Sequence, residues 1–385
     1  MGDVGDIIRQ LQLHFNVLLY GPPGTGKTYL MQEVVQQMRG TGGDALFIDT
    51  ASEDQPIVRR KGDRIKVGWV TFHQSYSYEE FIVGLRPDPA GKQLLSLDPS
   101  PGILLELAEW ARLPGHAALL IIDEINRGNV SRIFGEFITL IEADKRLDEG
   151  GKPTDRTVAI NLPYIKPGAD ATVDVDGQAV HVENPFTMPR RLFTLASMNS
   201  VDKSIAPLDS ALRRRFQVIE TSPDLEQMAK LMHIDARVLA DVTPIDTSVA
   251  TREMVLGLAL KLVARLNSGI GIYLGPEFTL GEWYLTSLLD TADHASASAA
   301  LKEIWDNKLY PQLAELFHGR PEQLGSVLRL AGTSAPVFLE PVSDEMADLG
   351  AAPYVRRREA DISETLAFLG TVVGGDEPTQ IAATE

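Results

Sequence analysis

Eight consecutive residues near the start of the chain have the composition and spacing of a phosphate-binding loop. They match G-x-x-x-x-G-K-[ST] at every position and are Gly21, Pro22, Pro23, Gly24, Thr25, Gly26, Lys27 and Thr28. Glycines let successive backbone N–H groups turn toward one anion, and the start of a following helix adds partial positive charge. We expect Lys27 to lie near the β- and γ-phosphates of a nucleoside triphosphate and the Thr28 hydroxyl to hold Mg²⁺.

Two acidic residues, Asp123 and Glu124, directly follow the apolar run Leu119–Ile122. Such a pattern is weak by itself, because many strands end in solvated acids, but it gains weight downstream of a phosphate loop. We expect Asp123 to support the Mg²⁺ shell and Glu124 to orient and deprotonate a water that attacks the γ-phosphate. The histidines have no metal-ligand spacing, so no metal other than Mg²⁺ is expected.

The elements that must position these groups alternate between short apolar strands and amphipathic helices. Strands are predicted over 15–20, 45–49, 68–73, 119–122, 192–196 and 216–219, and helices over 27–39, 102–113 and 130–142. This alternation indicates an α/β fold with a parallel, helix-covered sheet. Residues from about 223 to 330 have helical periodicity and no convincing strand.

The change of pattern divides the chain into three predicted regions. A nucleotide-binding core is expected over 1–222, an all-helical domain over 223–333 and a C-terminal extension over 334–385, with a disordered tail from Gly370. Within the core, residues 144–190 are rich in Gly, Pro, Asp and Lys and predict an inserted β-hairpin module. Its clearest signal is Thr172–Glu183, which would fold back at Asp176-Gly177.

The composition indicates a soluble, globular, cytoplasmic protein. The 385 residues are 44% hydrophobic and 23% charged, and they include no cysteine, which excludes disulfides and thiol nucleophiles. A net charge of −17 disfavours direct binding to nucleic acid through bulk electrostatics. We expect no membrane segment, because no apolar run approaches the roughly 18 residues that span a bilayer and the N-terminus lacks a signal-peptide pattern.

Five further segments, taken in chain order, resemble the AAA+ motor subunit of the McrBC restriction systems. The segments are Thr71–Phe81 (TFHQSYSYEEF), Asp123–Asn129 (DEINRGN), Ser197–Ser204 (SMNSVDKS), Leu208–Phe216 (LDSALRRRF) and Tyr273–Phe278 (YLGPEF). The resemblance covers about 17–330. MoxR-type AAA+ proteins are related and share the D-E-I-N-R run, but they lack the M-N-x-x-D signature and the F-H-Q-S-Y block.

The resemblance implies an αβα AAA+ core, a helical lid and a ring, usually a hexamer, with ATP or GTP at the subunit interfaces. It implies that Asn199 is a sensor of the attacking water or γ-phosphate. Arg213 or Arg214 would reach a neighbouring subunit's nucleotide as an arginine finger, and Arg127 would have a similar interfacial role. Asn199 and Asp202 would form the loop that senses a McrC-like or nuclease partner, through which the ring would act on DNA.

The chain departs from the family pattern at three places. Lys203 stands where the family has Arg, which keeps the charge but loses the planar fork. The phosphate loop begins at Gly21, which is expected to leave no room for the N-terminal DNA-recognition domain of restriction-type relatives. In the lid, Gly281–Tyr284 has Glu282 in place of a histidine, so no lid sensor is assigned.

Two alternative functions remain open at this point. One is a remodelling chaperone that pulls on a protein partner, as MoxR-like motors do. The other is a scaffold that assembles on binding nucleotide and turns over little. Stimulation of hydrolysis by a McrC-like protein, stimulation by a protein client, or a basal rate near zero would distinguish the three.

Overall fold

The structure, a computed structural model, describes residues 4–39, 64–87, 97–166, 171–175, 178–201, 210–235, 237, 251–330, 339–341, 354–356 and 360–374. The strand predicted over 45–49 lies outside these residues, as do Asp202, Lys203 and the predicted turn at Asp176-Gly177.

The described strands and helices are numbered in chain order. The strands are β1 Asn16–Gly21, β2 Arg64–Thr71, β3 Val83–Pro87, β4 Leu97–Pro101, β5 His116–Asp123, β6 Ala159–Ile160, β7 Ala171–Val175, β8 Gln178–Val182, β9 Phe186–Thr187, β10 Leu192–Asn199, β11 Gln217–Glu220, β12 Leu339–Pro341 and β13 Tyr354–Arg356. The α-helices are α1 Val4–His14, α2 Lys27–Arg39, α3 Tyr78–Phe81, α4 Ile103–Arg112, α5 Val130–Phe134, α6 Phe137–Leu140, α7 Ser210–Arg213, α8 Leu225–Leu231, α9 Arg252–Tyr273, α10 His294–Ile304, α11 Tyr310–Leu316, α12 Pro321–Val327 and α13 Ile362–Val373.

The chain divides into two compact units. The first comprises Gly2–Tyr20 and Lys27–Thr221, and the second comprises Gly21–Gly26 together with Ser222–Glu385. The change from mixed to helical structure therefore falls beside the boundary predicted at 222/223. The phosphate-loop residues before Lys27 group with the helical unit, which the sequence did not indicate.

The first unit is built on a five-stranded sheet with the order β11–β1–β10–β5–β2. β11 runs parallel to β1, and β2 and β10 each run parallel to β5. β5, which lies between β10 and β2, is buried from Ala117 to Ile122, as expected for an interior strand of a helix-covered parallel sheet. The α/β fold predicted from the alternating pattern is confirmed.

The core of this unit lies where α4 covers the sheet. Leu104 and Leu107 of α4 are buried in one cluster with Leu120 and Ile122 of β5 and Leu192 of β10. The apolar spacing of α4 fits this contact, because residues three apart lie on one helix face.

The prediction of one continuous helix over 130–142 is wrong. The chain forms α5 and α6, separated at Gly135, whose φ of 49° and ψ of −132° are not helical. The apolar periodicity continues across the break because both short helices bury the same face: Ile133, Phe134 and Phe137 are fully buried. A Cβ at Gly135 would lie 3.0 Å from Cε2 of Tyr78, so the ring packs against the break.

Two hairpins extend this unit. β7 and β8 pair antiparallel with Val175 opposite Gln178, which matches the hairpin predicted within 144–190. β3 and β4 form a second antiparallel pair, with Leu85 opposite Pro99, that the sequence pattern did not predict. Its prolines and alternating short apolar residues resemble a loop more than a strand.

The second unit is helical around α9. By length and composition α9 could cross a membrane, but 67% of its most apolar window is buried inside the protein, as in the central helix of a helical domain. The prediction of a disordered tail from Gly370 is wrong for Gly370–Val373, which complete α13. Val372 and Val373 are buried, and Phe368 of the same helix contacts Trp305 at 5.7 Å between ring centroids.

Candidate active site

The carboxyl ends of β5 and β10 bring two acidic and two polar side chains together. The Ser197 hydroxyl donates to Asp123 Oδ1 at 2.5 Å, and Asn199 Nδ2 donates to Glu124 Oε1 at 2.6 Å. The parallel register, with Ala196 opposite Ile122, causes this arrangement because it aligns the two strand ends. Three of the predicted site residues, Asp123, Glu124 and Asn199, therefore lie together.

Glu124 adopts a backbone conformation that is unusual for a residue with a side chain. Its φ of 54° and ψ of 51° are left-handed, which costs a non-glycine residue about 1–2 kcal/mol. The backbone N–H of Glu124 donates to Ser197 Oγ at 3.0 Å. Arg127, three residues on, is half exposed and pairs with Glu124, with Nε 3.4 Å from Oε2. Strained backbone held by several contacts is a feature of functional sites.

Three successive arginines have two different environments. Arg213 and Arg214 are exposed, and the Arg213 guanidinium lies 5.7 Å from the centroid of the Tyr20 ring. Arg215 is nearly buried, with its side chain 8% exposed, and pairs with Glu142 at 2.7 Å. Arg213 and Arg214 are therefore accessible at the surface, whereas Arg215 is held inside the unit by its ion pair.

The phosphate loop has the local geometry that its glycines predict. Gly24 and Gly26 have φ of 76° and 70°, which side-chain-bearing residues rarely adopt. The Thr25 hydroxyl donates to the carbonyl of Pro22 at 2.9 Å. Helix α2 begins at Lys27, which belongs to the first unit. The Lys27 side chain is nearly buried, and Thr28 beside it is exposed.

A short segment of the helical unit, Gly281–Trp283, packs on this loop. Gly281 N donates to the carbonyl of Pro23 at 3.1 Å, and Trp283 N donates to the carbonyl of Gly24 at 2.9 Å. Between them, the buried Glu282 accepts a hydrogen bond from the backbone N–H of Asp224 at 3.0 Å. Burial raises the pKa of the Glu282 carboxyl. Glu282 therefore fastens the segment to the start of α8.

The oxygen ligands available fit Mg²⁺ and a nucleoside triphosphate. Asp123 offers a carboxylate and Thr28 a hydroxyl, and hard oxygen donors of this kind suit Mg²⁺. The glycine loop, Lys27 and the N-terminus of α2 are contiguous in sequence and are the groups that bind phosphate in such loops. These residues could hold the metal and the phosphates.

Ser197 is the residue of the site that sequence reasoning missed. Its hydroxyl contacts both acidic residues, yet no role was assigned to it. The signal was present, because Ser197 and Asn199 are two positions apart on one strand and so face the same side.

Comparison with models of protein families identifies the class of protein to which this chain belongs. The family model described as AAA domain (dynein-related subfamily) matches residues 16–216, more than half of the chain, and the chain belongs to this family. The model described as McrB, alpha-helical lid domain matches residues 259–325. The resemblance to McrB-like AAA+ NTPases, inferred from the motifs, is thereby confirmed.

Two curated relatives come from restriction systems. The chain is 32% identical over 221 residues to the type IV methyl-directed restriction enzyme EcoKMcrB subunit of Escherichia coli, covering 57% of this chain and 38% of that protein. It is 26% identical over 223 residues to the type II restriction enzyme BsuMI component YdiS of Bacillus subtilis, covering 52% and 55%. The matches span about half or less of each relative.

Among solved structures, that of C. elegans PCH-2 matches 78% of this chain and 67% of its own, with 16% identity and a TM-score of 0.32. At this score the superposition adds nothing to the fold described above.

The close packing of Trp283 on Gly26 leads to a prediction about the phosphate loop. A Cβ at Gly26 would fall on the Trp283 indole nitrogen, whereas one at Gly319, which has nearly the same φ of 71°, would meet nothing within 4 Å. Gly319→Ala should therefore cost only the backbone term of about 1–2 kcal/mol. Gly26→Ala should cost more and lower the affinity for a fluorescent nucleotide analogue at least tenfold. Urea unfolding and nucleotide titration of both variants test this, and equal effects in the two would contradict it.

Proposed function

We propose that this chain is a Mg²⁺-dependent nucleoside triphosphatase, using ATP or GTP, that works as a ring-forming McrB-like AAA+ motor in the cytoplasm. The ring, in our proposal a hexamer, powers a DNA-targeting restriction or antiviral effector. The observation that carries the catalytic part is the convergence of Asp123, Glu124 and Asn199 at adjacent strand ends, with an Asn199–Glu124 hydrogen bond of 2.6 Å.

The reaction is transfer of the γ-phosphoryl group to water. The backbone N–H groups of Gly24–Gly26 and the Lys27 ammonium bind the phosphates, while Thr28 and Asp123 hold the metal. Mg²⁺, when bound, neutralises charge on the phosphate oxygens. Glu124 Oε1 accepts the proton of the attacking water, and Asn199, already within hydrogen-bond distance of that oxygen, orients the water.

A neighbouring copy completes the site in this proposal. Arg213 and Arg214 are exposed beside the buried, ion-paired Arg215, so their guanidinium groups are available to a nucleotide held by another subunit. Guanidinium groups are suited to this role because their planar fork matches phosphate oxygens. Arg127 pairs with its own Glu124, with Nε 3.4 Å from Oε2, and its half-exposed side chain is proposed to have a similar role at the interface.

The proposed partner and target are inferred from the two curated relatives. Both curated relatives are named as restriction-enzyme components, which supports a McrC-like or nuclease partner for this chain. The net charge of −17 supports contact with DNA through that partner rather than through bulk attraction to the ring. Asn199 and Asp202 are proposed as the residues through which the partner raises the rate.

Replacing the proposed base should separate binding from turnover. Glu124→Gln keeps an oxygen that can accept from Asn199 but cannot accept a proton, so we expect nucleotide affinity within about threefold of wild type and hydrolysis slower by about 10²–10⁴-fold. Phosphate release and titration with a fluorescent nucleotide measure the two quantities. Glu79→Gln, an exposed carboxylate, is the matched control. Wild-type hydrolysis in the Glu124 variant would contradict the assignment.

Mixing variants should reveal an arginine that acts between subunits. Lys27→Ala chains lack the phosphate lysine, and either Arg213→Ala or Arg214→Ala chains lack the finger. The Lys27 variant and the variant of the arginine that is the finger should each be slower by about 10³–10⁵-fold when alone. In mixtures, intact pockets meet intact arginines and part of the activity should return. Lys27→Ala mixed with Glu124→Gln is the control that should not recover. Absence of recovery with either arginine variant would exclude a trans role.

Stimulation experiments distinguish the proposed function from its alternatives. We expect a McrC-like protein to raise the hydrolysis rate. Asn199→Ala should reduce this stimulation by a larger factor than it reduces the affinity for nucleotide. The measurement is the rate of phosphate release with ATP and with GTP as the candidate partner is titrated. Stimulation by a protein client alone would favour a chaperone, and tight nucleotide-driven assembly without turnover would favour a scaffold.

A further inference from the structure

The Ser197 hydroxyl forms a bridge between the two acidic residues of the site. Ser197 is 1% exposed, near the end of β10. Its Oγ donates to Asp123 Oδ1 at 2.5 Å and accepts from the backbone N–H of Glu124 at 3.0 Å. One buried hydroxyl thus uses its donor on the first acid and an acceptor lone pair on the second.

The bond to Asp123 fixes the rotation of its carboxylate. A carboxylate on a single-bonded stem can rotate, and a bond to one named oxygen selects one orientation. The bond engages Oδ1 and not Oδ2, so it decides which lone pairs of the carboxylate can face a metal. Groups that orient a ligand in this way are known to affect metal affinity and activity by about 10–100-fold.

The bond to Glu124 holds the strained backbone that aims its side chain. Glu124 has φ 54° and ψ 51°, a left-handed conformation that costs a residue with a Cβ about 1–2 kcal/mol. The N–H of Glu124 is bonded to Ser197, and its carboxylate reaches Asn199 at 2.6 Å from this same backbone conformation.

We propose that Ser197 is a positioning residue that sets the metal-facing orientation of Asp123 and the water-facing orientation of Glu124 at the same time. The inference rests on the proposed nucleotide hydrolysis. It concerns a residue that contacts neither water nor phosphate in that reaction and acts only through the two acids.

The test compares three variants of the full chain. Ser197→Ala removes the bridge, and Ser197→Thr keeps a hydroxyl. Thr194→Val removes the hydroxyl of another buried residue of β10, which lies three positions before Ser197 and opposite Leu120 of β5. Thr194 is 2% exposed, so the control imposes a comparable change on the strand interior.

We expect Ser197→Ala to lower kcat about 10–100-fold and to weaken binding of Mn²⁺ to the nucleotide complex about tenfold by electron paramagnetic resonance. Nucleotide affinity in EDTA should stay within about threefold of wild type, because phosphate binding by the loop does not involve Ser197. Ser197→Thr should retain most of the wild-type kcat and Mn²⁺ affinity, and Thr194→Val should change neither quantity.

The outcomes separate this inference from the proposed function. A wild-type chain that hydrolyses nucleotide, beside a Ser197→Ala variant with unchanged kcat and Mn²⁺ affinity, would overturn the inference alone. A loss of melting temperature equal in Ser197→Ala and Thr194→Val, with equal losses of activity, would reduce Ser197 to a structural role and also overturn it. A wild-type chain that neither binds nor hydrolyses ATP or GTP would overturn the proposed function and this inference together.

Discussion

The parallel register of β5 and β10 is the constraint on which the candidate site depends. Side chains at the carboxyl ends of adjacent parallel strands must meet at one edge of the sheet. With Ala196 opposite Ile122, the next positions along both strands supply Ser197, Asn199 and the two acids. A shift of this pairing by one residue would turn the polar side chains to the opposite face. β5 is buried from Ala117 to Ile122 between β10 and β2, and its register with β10 sets the distances within the site.

A buried polar network connects the sheet with the turn that carries the exposed arginines. Asn16 Nδ2, at the start of β1, donates to the carbonyls of Ile141 and Arg215. Arg146, fully buried, donates to the carbonyl of Ile141 and to Asn16 Oδ1, and burial lowers its pKa to about 9. Buried polar groups are costly unless they are bonded, so this network tolerates few arrangements. It holds Arg215 in the interior and leaves the preceding arginines outside.

The strained backbone at Glu124 is held by hydrogen bonds with β10. Glu124 has a left-handed backbone whose N–H donates to Ser197 Oγ, and Asn199 Nδ2 donates to the Glu124 carboxylate. In the other unit, Gly24 and Gly26 accept left-handed backbone without strain, and their lack of a Cβ leaves space for Tyr284 and Trp283. Glycine therefore serves both the turn and the packing at these two positions.

The sequence by itself determined the phosphate loop, the acidic strand end, the α/β class and helix α2, because each depends on local residue types and periodicity. It also indicated the McrB-like class through five ordered motifs. Only the tertiary structure decided that Ser197 bridges the acids, that Arg215 is buried while Arg213 and Arg214 are exposed, and that Gly135 divides a helix. Those features depend on which strands become neighbours and on which side chains fill the space between them, and neither is encoded in local spacing. The same reason explains the helical conformation of Gly370–Val373. Helix α13 buries Val372 and Val373 within the second unit, and its Phe368 packs against Trp305 of the same unit.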